Sequence, residues 1–255
     1  MSYITKKIDN NEVHFSTENF VSRYWLSLKF RGKRIHEINV TKLLLDNLEP
    51  STCFVDIGAH IGYYTIIASN KLAKGEVISF ELDKTNYNIL NKNIALNSCS
   101  NVTAHNIAIT NYVGNSSYST SAILTSAMCY LTDTKNDKKV GKTVETITLD
   151  EFFKDDYSKP DVIKIDVEGS EMNVLNGMEK ILDRKKSLTM FVEVHPTLLK
   201  RKFNSSSKEV IEKLIEKGFI VQQIMNIRGK KEDLHFKEID SDSKLGYNTI
   251  LFVKK

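Results

Sequence analysis

Apolar and polar positions along this chain switch repeatedly between two periods. Short apolar runs at Cys53–Ile57, Glu76–Phe80 and residues 102–109 are separated by stretches with apolar residues at helical spacing, about 62–72 and 85–96. Compact apolar runs bounded by turn residues predict strands buried on both faces. A strand–helix–strand–helix–strand order predicts a parallel sheet with helices on both sides. Ala73-Lys74-Gly75 stops the first helix, and Asn97-Ser98 the second. The alternation resumes with strands at 144–149, 162–166 and 188–194, a short helix at 150–153, and helices at 171–182 and 207–217. Residues 219–225 and 247–253 read as the last strands, joined through the charged loop 226–246. Upstream, residues 24–30 alternate loosely and read as a strand followed by a turn at Arg31-Gly32-Lys33. Ile38, Leu43, Leu44, Leu45 and Leu48 then read as a helix that Glu49-Pro50 ends. The expected fold is α/β: a mostly parallel twisted sheet, helices on both faces, and an antiparallel C-terminal edge strand. Residues 1–50 read as an extension packed on a main domain at 51–255.

The stretch 111–142 breaks the rhythm. It is rich in Ser, Thr and Asn, with Tyr118, Ile123, Leu124, Met128, Tyr130 and Leu131 interspersed, and predicts short edge strands or a folded excursion beside the site. A lid or a contact in a homodimer are both open for it.

Candidate chemistry sits at the strand ends. The run Phe54-Val55-Asp56-Ile57-Gly58-Ala59-His60-Ile61-Gly62-Tyr63-Tyr64-Thr65 is a strand ending in an acid, a glycine turn and a helix start. Glycines let backbone approach a ligand closely, and a helix N-terminus offers unpaired N–H groups. The next strand ends in Glu81, placed to accept hydrogen bonds from ribose hydroxyls. These features read as a nucleoside-cofactor site. The glycine spacing departs from the dinucleotide fingerprint, because Ala59 and His60 follow Gly58, so a nicotinamide-dependent dehydrogenase fits poorly. Further on, Lys164-Ile165-Asp166-Val167-Glu168-Gly169-Ser170-Glu171 and Glu193-Val194-His195-Pro196 end two more strands. In open α/β sheets ligands bind outside the carboxyl ends of strands, so Asp56, Glu81, Asp166, Glu193 and His195 are expected on one rim. So many carboxylates repel unless a cation, a metal or shared protons intervene. Glu168 and Glu171 are equally readable as caps of the following helix.

Composition narrows the classes. The 36 basic and 32 acidic residues leave a net charge of +4, and the lysine clusters at 135–142, 184–186 and 230–231 read as solvated surface, so nucleic acid is not an expected partner. No apolar stretch approaches the roughly 18 residues of a membrane span, and the first residues lack the apolar run of a secretory signal. Cys53, Cys99 and Cys129 are too scattered for a disulfide framework or a zinc site, which makes a reducing, cytoplasmic setting the expectation.

The segments 54–65, 162–177 and 191–196, with Thr148-Leu149-Asp150-Glu151-Phe152 ahead of the fourth strand, resemble the FkbM family of S-adenosylmethionine-dependent methyltransferases. The resemblance covers about residue 37 to the C-terminus, and Lys-x-Asp-x-Glu-Gly-x-Glu is its distinctive element. It departs at Leu82, where the family commonly has proline. It implies a Rossmann-like class I methyltransferase fold, S-adenosylmethionine as cofactor, and O-methylation of a hydroxyl on a small molecule, sugar or glycan. Asp56, Gly58 and Gly62 would then hold the methionine end and Glu81 the ribose, with His60 a further cofactor-binding residue, Asn106 near the adenine and Asp166 near the transferred methyl. Asp166 and His195, with Glu193 beside them, are the candidates for the catalytic base. A divalent ion on Asp166, Glu193 and His195 is chemically reasonable but not demanded. The competing readings are a ribose or protein methyltransferase on a macromolecule, and a cofactor-binding scaffold without turnover. Base methylation is disfavoured, because the fourth strand lacks an Asn/Asp-Pro-Pro-aromatic element and no Pro-Cys nucleophile is present.

Overall fold

The computed structural model describes residues 2–30, 35–120, 129–132, 141–229, 234–247 and 249–255. The lysines at 135–140 and 230–231, and Ile123, Leu124 and Met128, lie outside the described residues. The main sheet is built on β3 (Cys53–Ile57), β4 (Glu76–Phe80), β5 (Val102–His105), β10 (Val162–Ile165), β11 (Thr189–Val194), β12 (Ile220–Met225), β13 (His235–Glu238) and β14 (Thr249–Lys254). Its order is β13-β12-β14-β11-β10-β3-β4-β5. The run from β11 through β10, β3 and β4 to β5 is parallel, whereas β14 is antiparallel to both β11 and β12. The C-terminal strand is thus antiparallel and sits inside the sheet, with β12 and β13 taking the edge beyond it.

From β3 the chain winds outward through β4 and β5, then returns to place β10 on the other side of β3. Strand order therefore reverses between β3 and β10, where a crevice opens at the carboxyl ends.

Both faces are covered. On one, Val55, Ile57, Ile163, Ile165, Met190 and Val192 pack with α6 (Glu171–Asn176), α7 (Glu179–Asp183) and α9 (Ser207–Glu216). On the other, Phe54, Val77, Val162 and Phe191 meet α3 (Tyr63–Lys71), α4 (Lys84–Leu96) and residues upstream of β3. Those upstream elements are the hairpin β1 (Tyr3–Ile8) and β2 (Asn11–Ser16), then α1 (Phe20–Lys29) and α2 (Ile38–Asp46). Side-chain amides tie the hairpin down. Asn93 on α4 accepts from the Ser16 N–H at 2.8 Å and donates to the Ile61 carbonyl at 2.7 Å. Asn97 brackets His14, accepting from its N–H and donating to its carbonyl, both at 2.8 Å.

Several elements depart from the pattern reading, among them the unpredicted hairpin β1–β2 and strand β13 inside the expected loop 226–246. Residues 24–29 belong to helix α1 and Phe30 ends it; the helix is capped by the Asn19 side chain on the Val21 N–H, and its buried residues Ser22, Trp25 and Leu26 follow i, i+3, i+4 spacing. The expected strand at 102–109 divides: β5 stays in the main sheet, while β6 (Ala108–Ile109) joins β7 (Gly114–Thr120), β8 (Cys129–Thr132) and β9 (Lys142–Ile147) in a second sheet ordered β6-β9-β7-β8. The helix expected at 171–182 breaks at Gly177, where a Cβ would lie 2.1 Å from the Thr110 carbonyl oxygen. The Asp150 carboxylate then caps α7 by accepting from the N–H groups of Lys180 and Ile181, and Asp150 follows Leu149, the first residue of α5 (Leu149–Phe152). A further helix, α8 (Pro196–Phe203), starts directly after His195, and Pro196 at its first turn was the available signal. Among the described residues no helix is long and apolar enough to cross a membrane.

Candidate active site

Strand alternation decides what faces the crevice. Successive side chains on a strand point to opposite faces, so Asp56, Lys164 and Glu193 share the face of Phe54, Val162 and Phe191. Register sets Lys164 directly beside Asp56 on one side and Phe191 on the other. A single buried lysine, 3% exposed, thereby sits among acids. Its Nζ lies 3.1 Å from Asp166 Oδ2 and 4.8 Å over the Tyr64 ring. Burial opposes its charge, but Asp166, Asp56, Glu193 and Glu37 together raise its pKa above the ordinary lysine value.

The surrounding acids titrate differently. Burial would raise Asp166, yet Lys164 and His195 hold it at about 2. Burial, together with the negative charge of Asp166 and Glu37, pushes Glu193 well above the carboxylate range. Burial also raises Asp56, against the pull of Lys164 and a 2.7 Å hydrogen bond from Thr65 Oγ1 to Asp56 Oδ2. The other oxygen, Oδ1, has no hydrogen-bond partner among the described residues.

The turn after β3 is shaped by its neighbours. Gly58 has φ +82°, and a Cβ there would lie 1.9 Å from the Asp166 carbonyl oxygen. Only glycine lets the β3 turn and the end of β10 come this close. His60, at φ 53°, donates its N–H to Glu81 Oε2 at 2.7 Å. Its ring lies 5.4 Å from that of Trp25, and both ring nitrogens lack hydrogen-bond partners among the described residues. Burial lowers this imidazole to about 4, so it is neutral at physiological pH. Gly62 caps α3, behind the cleft.

Glu81 is buried, and its Oε1 accepts from the Asp83 N–H at 2.8 Å. Burial raises it to about 7 despite these backbone donors. Asn106 spends its amide N–H groups on the carbonyls of Glu81 and Leu82, at 2.8 and 3.0 Å, and so fixes the strand tip rather than facing the cleft. Asp83 caps α4 through the N–H groups of Thr85 and Asn86, and it also receives Lys142 Nζ at 2.9 Å and the Tyr118 hydroxyl at 3.3 Å. The second sheet is thereby latched to the rim.

His195 is 2% exposed and does not line the cleft. Its Nδ1 donates to Glu171 Oε1 at 2.7 Å, while Nε2 lies 3.5 Å from Glu168 Oε2 and 3.7 Å from Glu193 Oε1. Burial would lower this imidazole, but Glu171, Glu168 and Asp166 raise it to about 10. Glu171 also accepts from the Gly169 N–H, so its capping and histidine-holding roles coincide. Glu168 lines the cleft with φ 50°, and burial raises it to about 7. Asp166, Glu168 and His195 each bring one possible metal-ligating atom within 4.8 Å of the others.

The cleft encloses about 1040 Å³ of atom-free space, part of it open to solvent. Of the residues expected from sequence, Asp56, Gly58, His60, Glu81, Asp166 and Glu193 line it. Trp25, Lys29, His36 and Glu37, from upstream of β3 and unflagged by the pattern, complete the wall together with Tyr64 and Lys164, which lie inside the strand-end motifs but had no role assigned there. Glu37 Oε2 accepts from the Tyr64 hydroxyl at 2.8 Å. A lysine inside Val-Ile-Lys-Ile was the one sequence signal for this buried charge network.

Residues 56–221 match the family model of the methyltransferase FkbM domain. Over 180 residues, 70% of this chain and 69% of the relative, the chain is 28% identical to the hexuronic acid methyltransferase AglP of Haloferax volcanii. Over 163 residues, 52% of this chain and 63% of the relative, it is 26% identical to the methyltransferase sdnD of Sordaria araneosa. Among solved structures, a precorrin-6y C5,15-methyltransferase from Geobacter metallireducens aligns over 86% of this chain and 87% of its own, at 16% identity and a TM-score of 0.49. The family match spans more than half of the chain, which therefore belongs to the FkbM methyltransferase family and is an S-adenosylmethionine-dependent methyltransferase.

Proposed function

We propose that this enzyme methylates a hydroxyl of a sugar or related polyol. One observation carries the reading: a carboxylate–imidazole cluster, Asp166, Glu168, Glu193 and His195, stands at the cleft end of β10 and β11, across the strand-order reversal from Glu81. Methyl transfer needs alignment of nucleophile and methyl, and removal of the hydroxyl proton. In this reading Asp56, Gly58 and His60 line the methionine end, with Gly62 setting the start of α3. Glu81 receives the ribose hydroxyls, and Asn106 keeps its strand tip in place. When bound, S-adenosylmethionine supplies an activated methyl group. The acidic rim complements the cofactor's cationic charge. Asp166, ionised beside Lys164, orients the acceptor hydroxyl. Glu168 lies in the range suited to proton transfer at neutral pH. His195, buried and held by Glu171 Oε1, orients this cluster and is not the proton acceptor. The named acceptor of AglP, a hexuronic acid, supports the sugar class.

The test pairs calorimetric titration of S-adenosylmethionine with methyl-transfer assays on hexuronic acids, hexuronate glycosides and neutral sugars, read by product mass. Saturable binding weakened by Asp56→Ala and Glu81→Ala, with O-methylated product from one sugar class, is the expected result. Tight cofactor binding with transfer only to amines or thiols would refute the hydroxyl assignment.

A further inference from the structure

We infer that Asp166, Glu168 and His195 form a binding site for a divalent transition-metal cation. The inference deepens the hydroxyl-acceptor reading, although its geometry does not depend on which acceptor is used. Three observations meet here.

First, the donor set is mixed. Two carboxylates from the turn after β10 and one imidazole from the end of β11 bring ligating atoms within 4.8 Å of one another. Ligands bound at about 2.1 Å to one ion stand roughly 3.0 to 4.2 Å apart, depending on the angle between them. Closing the cluster onto an ion thus asks for movements of a few tenths of an ångström to about 1 Å.

Second, the imidazole is oriented as a ligand. His195 is 2% exposed, and Nδ1 is fixed by Glu171 Oε1 at 2.7 Å. Metal-bound histidines almost always give their other ring N–H to a carboxylate or carbonyl in this way. Glu171, fully buried, holds the Gly169 N–H and the imidazole with the same carboxylate oxygen.

Third, Nε2 faces the cluster, and its nearest carboxylate oxygens, at 3.5 and 3.7 Å, are beyond good hydrogen-bond length. A bound cation would take the place of the Nε2 proton. Those separations suit neighbouring ligands of one ion better than donor and acceptor.

Imidazole with carboxylates favours Mn²⁺, Fe²⁺, Co²⁺ or Zn²⁺ over Mg²⁺ and Ca²⁺, which prefer all-oxygen shells. Asp166 and Glu168 line the cleft. An acceptor hydroxyl reaching the ion would lose its proton more readily, as metal-bound water does.

The experiment uses the full-length chain, stripped with a chelator and titrated with Mn²⁺ while free ion is followed by electron paramagnetic resonance. One bound Mn²⁺ per chain is expected, with a nitrogen coupling in pulsed spectra from His195. Glu168→Gln should weaken binding at least tenfold, and Glu151→Gln, on α5, should leave it unchanged. Glu171→Gln tests a positioning role: a 10- to 100-fold loss is expected, with the nitrogen coupling altered. Absence of binding at millimolar Mn²⁺, binding without nitrogen coupling, or binding unaffected by Glu168→Gln would each overturn the site. Methyl transfer persisting undiminished in protein shown to be metal-free would also overturn it, while leaving the hydroxyl reading in place. A metal-loaded protein with no transfer to any hydroxyl would do the reverse.

Discussion

Replacing Lys164 by methionine tests the electrostatic account of the crevice most directly. Methionine is close to lysine in length and volume, so packing against Tyr64 is kept and little cavity is made. What disappears is the cation. Unit charges 3.1 Å apart, as Lys164 and Asp166 are, interact by about 5 kcal/mol at an effective dielectric near 20. Part of that is offset because a buried ammonium no longer needs desolvating, but the acids remain in place without their partner. Breaking a buried pair from one side typically costs about 3–5 kcal/mol, and that is the loss expected for Lys164→Met. Equilibrium urea unfolding at neutral pH would measure it, followed by far-UV circular dichroism and by fluorescence of Trp25, the single tryptophan. Combining Lys164→Met with Asp166→Asn should recover part of the loss, giving a coupling energy for the pair. A single variant within about 1 kcal/mol of the parent, with unchanged denaturant dependence, would refute the argument that this lysine neutralises the rim.

Gly58→Ala should lose about 2–5 kcal/mol, the sum of the left-handed backbone penalty and overpacking against the Asp166 carbonyl, and should also abolish cofactor binding in calorimetry. Glu81 gives a pH signature. Its folded value of about 7 exceeds its unfolded value of 4.5, so the folded chain keeps a proton that the unfolded chain has lost. Its contribution to stability is therefore present below about 4.5 and is lost as pH rises through about 7. Between pH 5 and 8 the parent should lose roughly 2–3 kcal/mol more in urea unfolding than Glu81→Gln does, and parallel pH profiles would contradict this. At Asp83, alanine removes the α4 cap and should cost about 1–2 kcal/mol. Asparagine keeps the cap, loses the charge pairing with half-exposed Lys142 and the carboxylate oxygen that receives the Tyr118 hydroxyl, and should cost about 1 kcal/mol by thermal or urea unfolding.

Strands β3, β4, β10 and β11 were legible because burial on both faces forces runs such as Phe54-Val55 and Phe191-Val192, and their short length between turn residues separates them from a buried helix such as α3. Asp56 and Glu81 stood out because a strand tip in a parallel sheet is where an acid has chemical work. The wall built by Trp25, His36 and Glu37 left no such trace. Its residues come from more than 15 positions upstream of β3, and their place in the cleft is decided by packing between elements, which no local period encodes. Helix α1 was misread because Tyr24, Leu26 and Leu28 mimic a period of two, while the buried set is Ser22, Trp25 and Leu26. His195 was found as a strand-end residue. Its orientation by Glu171 depends on a helix start 24 residues earlier in the chain, folding back across the sheet.

The amides of Asn93 and Asn97 have a consequence for how the molecule is made. They hold Ser16 and His14 across separations of 77 and 83 residues. During synthesis at about 5–20 residues per second, the hairpin waits roughly 4–16 s for α4 to emerge. Throughout that interval Val13 and Phe15, fully buried in the finished fold, lack the part of their cover that α4 supplies. The hairpin is thus translated well before the helix whose amides anchor it. A slowed ribosome near codon 90 would lengthen the exposure of that apolar face to chaperones, proteases and neighbouring chains.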